Sequence, residues 1–400
     1  MGGPYSLDAL PTQMAFSASG QTALGYDVFN EDHSNVSQGF AAISAKSGRL
    51  GSPVRVPDTQ EVLDLAFDGS DVDLLIATSP ILRTCCSSAL LVKIASGKPR
   101  RPRLIFRALT GKTVGRLIAL PGGRMLSSVA TAQGVWTELA GKKGRPAPAR
   151  LLTPETAAPQ TLGATVLRAN HTLLAWTAGA PPAPSTTGPA AIMVANGTAM
   201  RAPRQARPAV KVAAGHQIDE LAVGQGSSQG TLAWIESWSD SAGHLHSMAV
   251  VADLSRHIRA RTFEIPGLLA SGLSFATDRS GAQVIAWKVC DLSGTCRAET
   301  VVKDRGRLFG HPISLGRIDP TAAPAAAVSP QGEGLVGWVD RGHVLAAARD
   351  RRARAFAPTR VVSRTNSAMD LTLGFGPTSA LAAWSEGTFT ETVMGAVFIP

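Results

Sequence analysis

At 400 residues with 44% hydrophobic content, the chain can bury a substantial core, and with only 17% charged residues it is not polar enough for global disorder. Its 40 glycines and 26 prolines suit many short strands joined by tight turns, and no apolar run reaches the roughly 20 residues of a membrane-spanning helix. The net charge of +10 directs attention to anionic partners, and the start, Met1-Gly2-Gly3-Pro4, shows neither the basic nor the apolar segment of a secretory leader.

In chain order, one strand pattern recurs. It is written Ala23-Leu24-Gly25-Tyr26, then Thr172-Leu173-Leu174-Ala175-Trp176, Thr231-Leu232-Ala233-Trp234, Val284-Ile285-Ala286-Trp287, Leu335-Val336-Gly337-Trp338 and Leu381-Ala382-Ala383-Trp384. Two weaker copies without an aromatic, Asp73-Leu74-Leu75-Ile76 and 125–129, fill the gap after Tyr26. Gly20, Gly123, Asn170, Gly281 and Gly332 each stand six positions before the end of a copy. Gly and Asn tolerate the positive φ of a hairpin turn, so each unit is expected to begin with one strand, turn, and return through the marker strand. Two more β-rich runs follow, as at 297–303 and 312–315. Four strands in about fifty residues is the signature of a propeller blade. The marker is apolar at nearly every position, which predicts a strand covered on both faces by neighbouring blades, with its tryptophans packed between them.

The expected fold is all-β: a β-propeller of eight four-stranded blades, with seven as the alternative. The expected units are 12–57, 61–108, 114–153, 160–212, 217–266, 269–318, 321–363 and 367–400, the last completed by residues 1–10. The final unit has three strands before the chain stops. Gly3-Pro4-Tyr5-Ser6-Leu7 repeats the pattern of fourth strands such as Gly310-His311-Pro312-Ile313, so residues near 3–10 are expected to pair beside the C-terminal strand and leave no open edge. In this architectural sense the chain resembles bacterial β-propeller repeat proteins. The Trp-Asp signature of WD40 repeats, the kelch double glycine and the sialidase aspartate box are all missing, so no family's site residues transfer to it.

Cys290 and Cys296 bracket a turn-like segment and are expected to form a disulfide across a hairpin. Cys85 and Cys86 fall in the equivalent hairpin of another unit, and an even count at hairpin ends fits an oxidising, extracytoplasmic compartment, with four free thiols in a cytoplasmic protein as the alternative. Basic residues cluster between third and fourth strands: Arg100, Arg101 and Arg103; Lys142 and Lys143; Arg204; Arg259 and Arg261; Arg351 and Arg352. In a four-stranded meander these turns emerge on the same side as the 1–2 turns, which predicts a basic periphery on that face for an anionic polymer. The opposite face carries the longer loops, where recognition residues usually sit. Candidates there are Glu31, Asp32 and His33 on one loop, and Trp238, Asp240, His244 and His246 on another, Trp238 being a candidate stacking contact for sugar or peptide. The histidine pair with Asp240 also has metal-ligand residue types, but no third ligand position is evident, and neither metal nor cofactor is expected.

No nucleophile elbow, phosphate loop or dinucleotide fingerprint is present. These observations point first to a monomeric, non-catalytic recognition or scaffolding propeller that binds a protein or glycan through its long-loop face. Two alternatives stay open: a carbohydrate-active hydrolase or lyase with its site in the central funnel of that face, and a polyanion-binding protein.

Overall fold

The computed structural model describes residues 7–30, 36–44, 50–57, 59, 61–78, 87–109, 113–131, 133–141, 148–152, 161–167, 170–178, 191–225, 230–254, 259–264, 268–377, 379–386 and 392–398. Among these residues there is no α-helix, and the strands form small antiparallel sheets of consecutive strands. Seven sheets have four or more strands and an eighth has three. Their innermost strands are Leu7–Phe16, Glu61–Asp68, Val114–Leu120, Leu162–Val166, His216–Gly224, Leu269–Thr277, Ala325–Val328 and Ala368–Phe375. Each packs against the next around a ring, and the eighth packs against the first. The architecture is a β-propeller.

The marker strands fold as their composition dictates. Trp176, Trp287 and Trp338 are fully buried, Tyr26, Trp234 and Trp384 nearly so, and alternate residues of each strand join the cores on its two sides. Ala286 packs toward the seventh blade and Trp287 toward the fifth, which is why neither face of the strand is polar. The five predicted turn residues all have positive φ, Asn170 at 61° being the one that bears a side chain.

Of the segment expected to close the ring, residues 7–10 do not pair beside the C-terminal strand. Residues 7–10 begin the inner strand of the first sheet, Leu7 opposite Asn30, and residues 3–6 lie outside the described set. The ring shuts by packing of this strand on the eighth sheet, where a Cβ at Gly374 would stand 2.2 Å from the Phe16 ring. Only a residue without a Cβ lets the two strands approach that closely.

Polar groups tie neighbouring blades at fixed heights. Asp27 accepts the Val62 amide at 2.9 Å, Asp64 the Leu117 amide at 2.7 Å, and Glu220 the amides of Gly272 and Leu273. Each amide is on the inner strand of the following blade. Val62 and Gly272 lie where the strand register shifts, so the carboxylates bind N–H groups that the sheet leaves unpaired. At the outer edge, Lys303 bonds Asp253 at 2.7 Å and Arg349 grips Asp304 through both nitrogens at 2.9 and 3.1 Å.

Cys290 and Cys296 face each other across a hairpin with 4.0 Å between Cα atoms and form a disulfide. Cys85 and Cys86 lie outside the described residues. No helix in the described residues is long and apolar enough to cross a membrane.

Candidate functional site

On the long-loop face the fifth blade gathers an unusual set of polar aromatic groups. Its strands His216–Gly224, Thr231–Ser239 and Leu245–Asp253 run side by side, and their register sets His216 opposite Trp238 and Trp238 opposite His246. The three rings stack in that order. His216 lies 4.5 Å from Trp238 with planes 2° apart, and His246 lies 5.3 Å from it with planes 12° apart. Because the two histidines stand on strands flanking the tryptophan, they cover both indole faces. Trp238 therefore offers no free face to a sugar, unlike the expected stacking platform; it is the spacer that holds two imidazoles parallel.

Each end of the ladder is anchored by a carboxylate. His216 Nδ1 is 2.5 Å from Glu236 Oε1, and the other oxygen of Glu236 accepts the Trp234 indole N–H at 3.1 Å. A carboxylate only accepts, so the Nδ1 hydrogen belongs to His216, and Nε2 is the nitrogen that does not face Glu236. Glu236 is buried and fully bonded, while His216 is half-buried at the start of an innermost strand, on the funnel side of the blade. At the other end, Asp240 Oδ2 receives His244 Nδ1 at 3.0 Å and His246 Nε2 at 3.2 Å. Its Oδ1 receives the backbone N–H groups of Ala242 and His244, both at 2.9 Å. The His244 amide first, then the two imidazoles, hold the Asp240 carboxyl well below the usual carboxylate range.

Four predicted residues, Trp238, Asp240, His244 and His246, are thus brought together, and two the sequence did not single out, His216 and Glu236, complete the set. Their signal was the Trp234-x-Glu236 spacing, which recurs as Trp384-x-Glu386 with the same indole-to-carboxylate bond, at 2.9 Å. Among the described residues no group of three or more ligands has metal-site geometry. Glu31, Asp32 and His33 lie outside the described residues.

The basic positions divide. Arg100, Arg101 and Arg204 are exposed, and Arg351 and Arg352 line a cleft. Arg103 is instead spent on Glu138 of the third blade at 2.6 Å, and Arg261 lies 5.7 Å over the Phe263 ring and donates to the Phe309 carbonyl. Both are held by the scaffold and are poor candidates for a polymer. Arg259 sits opposite Asp253 in the sheet, and Lys142 and Lys143 lie outside the described residues.

By sequence the chain matches no family model and none of the curated proteins. By structure it is similar to a polysaccharide lyase described as an ulvan lyase, at TM-score 0.54 and 9% identity, over 100% of this chain and 96% of that one. A second polysaccharide lyase aligns at TM-score 0.55 and 7% identity over 89% and 93% of the two chains. A puromycin-hydrolysing peptidase of Mycobacterium tuberculosis aligns at 0.52 and 12%, over 95% of this chain and 58% of its own. Two of the propellers matched over nearly their full length are described as polysaccharide lyases, which goes against the expectation of a non-catalytic scaffold and favours the carbohydrate-active alternative. That expectation rested on missing linear motifs, and a propeller assembles its site from separate strands that leave no such motif. The likeness itself is one of fold, shared with polysaccharide lyases over nearly their full length.

Proposed function

We propose that the protein is a carbohydrate-active enzyme of the lyase type, acting on uronate-bearing glycans at the funnel side of the fifth blade. The observation that carries this reading is the His216–Glu236 pair: an imidazole fixed through Nδ1 by a buried carboxylate, with Nε2 free to move a proton. Two-carboxylate hydrolysis needs a pair of uncommitted acids. Here Glu236 uses both oxygens internally and Asp240 is tied to His244 and His246, which favours elimination over hydrolysis.

The step is a β-elimination. His216 Nε2 takes the proton next to the uronate carboxylate, and the electron pair of that C–H bond forms the C4=C5 double bond. The C4–O bond breaks, and the departing oxygen takes its proton from the imidazolium. The end-to-end likeness to polysaccharide lyases supports the substrate class, and one such structure holds a glucuronate–sulfated rhamnose chain. The disulfide supports placement outside the cytoplasm, where such polymers occur.

The test is incubation of the full chain with uronate-bearing and neutral polysaccharides, reading ultraviolet absorbance of the unsaturated product beside reducing ends. Both signals should rise on an acidic glycan and both should vanish in His216→Ala. Reducing ends without absorbance, or full activity in His216→Ala, would overturn the reading.

A further inference from the structure

On the opposite face, two loops of neighbouring blades form a cleft whose charged lining is arginine but for one aspartate. One loop follows the strand Cys296–Lys303 of the sixth blade, and the other follows His343–Arg349 of the seventh. Between them lie two adjoining cavities of about 390 and 690 Å³ that share Asp304, Arg307 and Arg352. Arg305 and Arg351 line the first, and Arg354 and His311 the second.

The electrostatics of the cleft are one-sided. Its single lining acid, Asp304, is neutralised by the fork of buried Arg349, a pair that also pins the two loops together. Asp350, in the second loop, turns a carboxylate oxygen to the Arg352 backbone N–H. The side chains of Arg305, Arg307, Arg351, Arg352 and Arg354 are exposed and have no ion-pair partner among the described residues. Five like charges converging on one cleft repel one another, and an anion relieves that repulsion. Guanidinium forks match the planar or tetrahedral oxygens of carboxylate and sulfate.

We propose that this cleft is an anion-recognition site that grips the sulfate or carboxylate groups of an acidic polysaccharide, distinct from the His216 ladder on the other face. The identity of the polymer rests on the enzymatic reading above; the anion site does not. Its shape favours a glycan over nucleic acid. A cavity of this size takes a few sugar-sized units, a duplex is too wide to enter, and the lining has no Phe, Tyr or Trp on which single-stranded bases would stack.

The experiment measures binding of the full chain to dextran sulfate, neutral dextran and duplex DNA at low and moderate salt, by calorimetry without turnover. Dextran sulfate should bind, more weakly as salt rises, and neutral dextran should not. Arg307→Ala/Arg352→Ala should lose about tenfold or more in affinity, Arg307→Lys/Arg352→Lys should fall between, and Arg207→Ala/Lys211→Ala on the fourth blade should change it less than about twofold. Equal losses in the cleft and fourth-blade variants, or no binding by the wild type, would overturn the proposal. DNA bound as tightly as dextran sulfate, and lost in the same cleft variant, would overturn the glycan assignment. A chain that cleaves nothing yet loses dextran sulfate through the cleft variant would refute the lyase reading alone.

Discussion

His216 Nδ1 stands 2.5 Å from Glu236 Oε1 across adjacent strands, and the carboxylate is buried while the imidazole, at the start of an innermost strand, is half-buried. On the lyase reading proposed above, Glu236 orients the histidine that transfers the proton. Replacing Glu236 by Gln keeps the shape but allows the amide to present N–H to Nδ1, which moves the imidazole hydrogen to Nε2. The expected result is a fall in kcat of about 100-fold or more with KM little changed. The check is steady-state kinetics on the best uronate substrate, with the melting temperature as control. A fall in KM-linked binding with kcat intact would contradict the assignment.

On the same reading, Trp238 acts through the two imidazoles it separates. Trp238→Ala removes the ring from between them and frees both histidines to rotate. We expect kcat to drop by about tenfold and Trp238→Phe to recover most of it, since a phenyl ring still fills the stack. Loss of binding with kcat preserved would instead make Trp238 a substrate contact.

How much of this was legible in the sequence follows from distance along the chain. The marker strands and their Gly and Asn turns are local patterns, so burial on both faces and hairpin geometry could be read directly. Asp240, His244 and His246 fall within one hairpin and share one side of it. His216 lies 20 residues from Glu236, and the strand that carries it shifts register between Ile218 and Glu220, so no spacing rule places the two together. Arg307 and Arg352 belong to different blades and line one cleft, beside which Arg349 reaches 45 residues back to Asp304. The pairing expected of residues 7–10 was not met for a related reason. A short Gly-Pro-β string fits many edges, whereas the contact that closes the ring, Phe16 on Gly374, is a matter of missing volume that no pattern announces.

Ring closure can be tested at that contact. A methyl group at Gly374 would enter the space of the Phe16 ring and touch the region of Met14. Gly374→Ala should cost about 1–3 kcal/mol by overpacking. Phe16→Leu alone should cost less, and the double variant should recover part of the loss, giving a coupling energy of about 1 kcal/mol in chemical denaturation. Strict additivity would mean that the two residues do not meet.

The disulfide closes a short hairpin, Cys290 to Cys296, so it restricts few unfolded conformations. Cys290→Ser/Cys296→Ser should lower stability by about 2 kcal/mol, and reduction of the wild type should lower its melting temperature to the same value. A larger effect from reduction than from the variant would show a second bridge outside this hairpin.

Acid titration offers a separate check on how the blades are tied. Burial pushes the Asp27 carboxyl up to about 7, against the lowering effect of the Val62 N–H, and burial likewise raises Asp73 to about 6 despite Lys93. A carboxyl whose folded pKa exceeds its unfolded value is favoured in its protonated form by folding. Its contribution is therefore complete below about pH 4 and is lost as pH rises through about 6 to 7. At about 1.36 kcal/mol per unit, Asp27 alone accounts for on the order of 4 kcal/mol, or about 5 °C in melting temperature for a chain of this length. Asp27→Asn keeps an oxygen for the Val62 amide and removes the charge. The variant should match the wild type near pH 4 and melt several degrees higher near pH 7.5. A constant offset between the two curves across that range would show that Asp27 is ionised in the fold and that the latch to the second blade is a charged one.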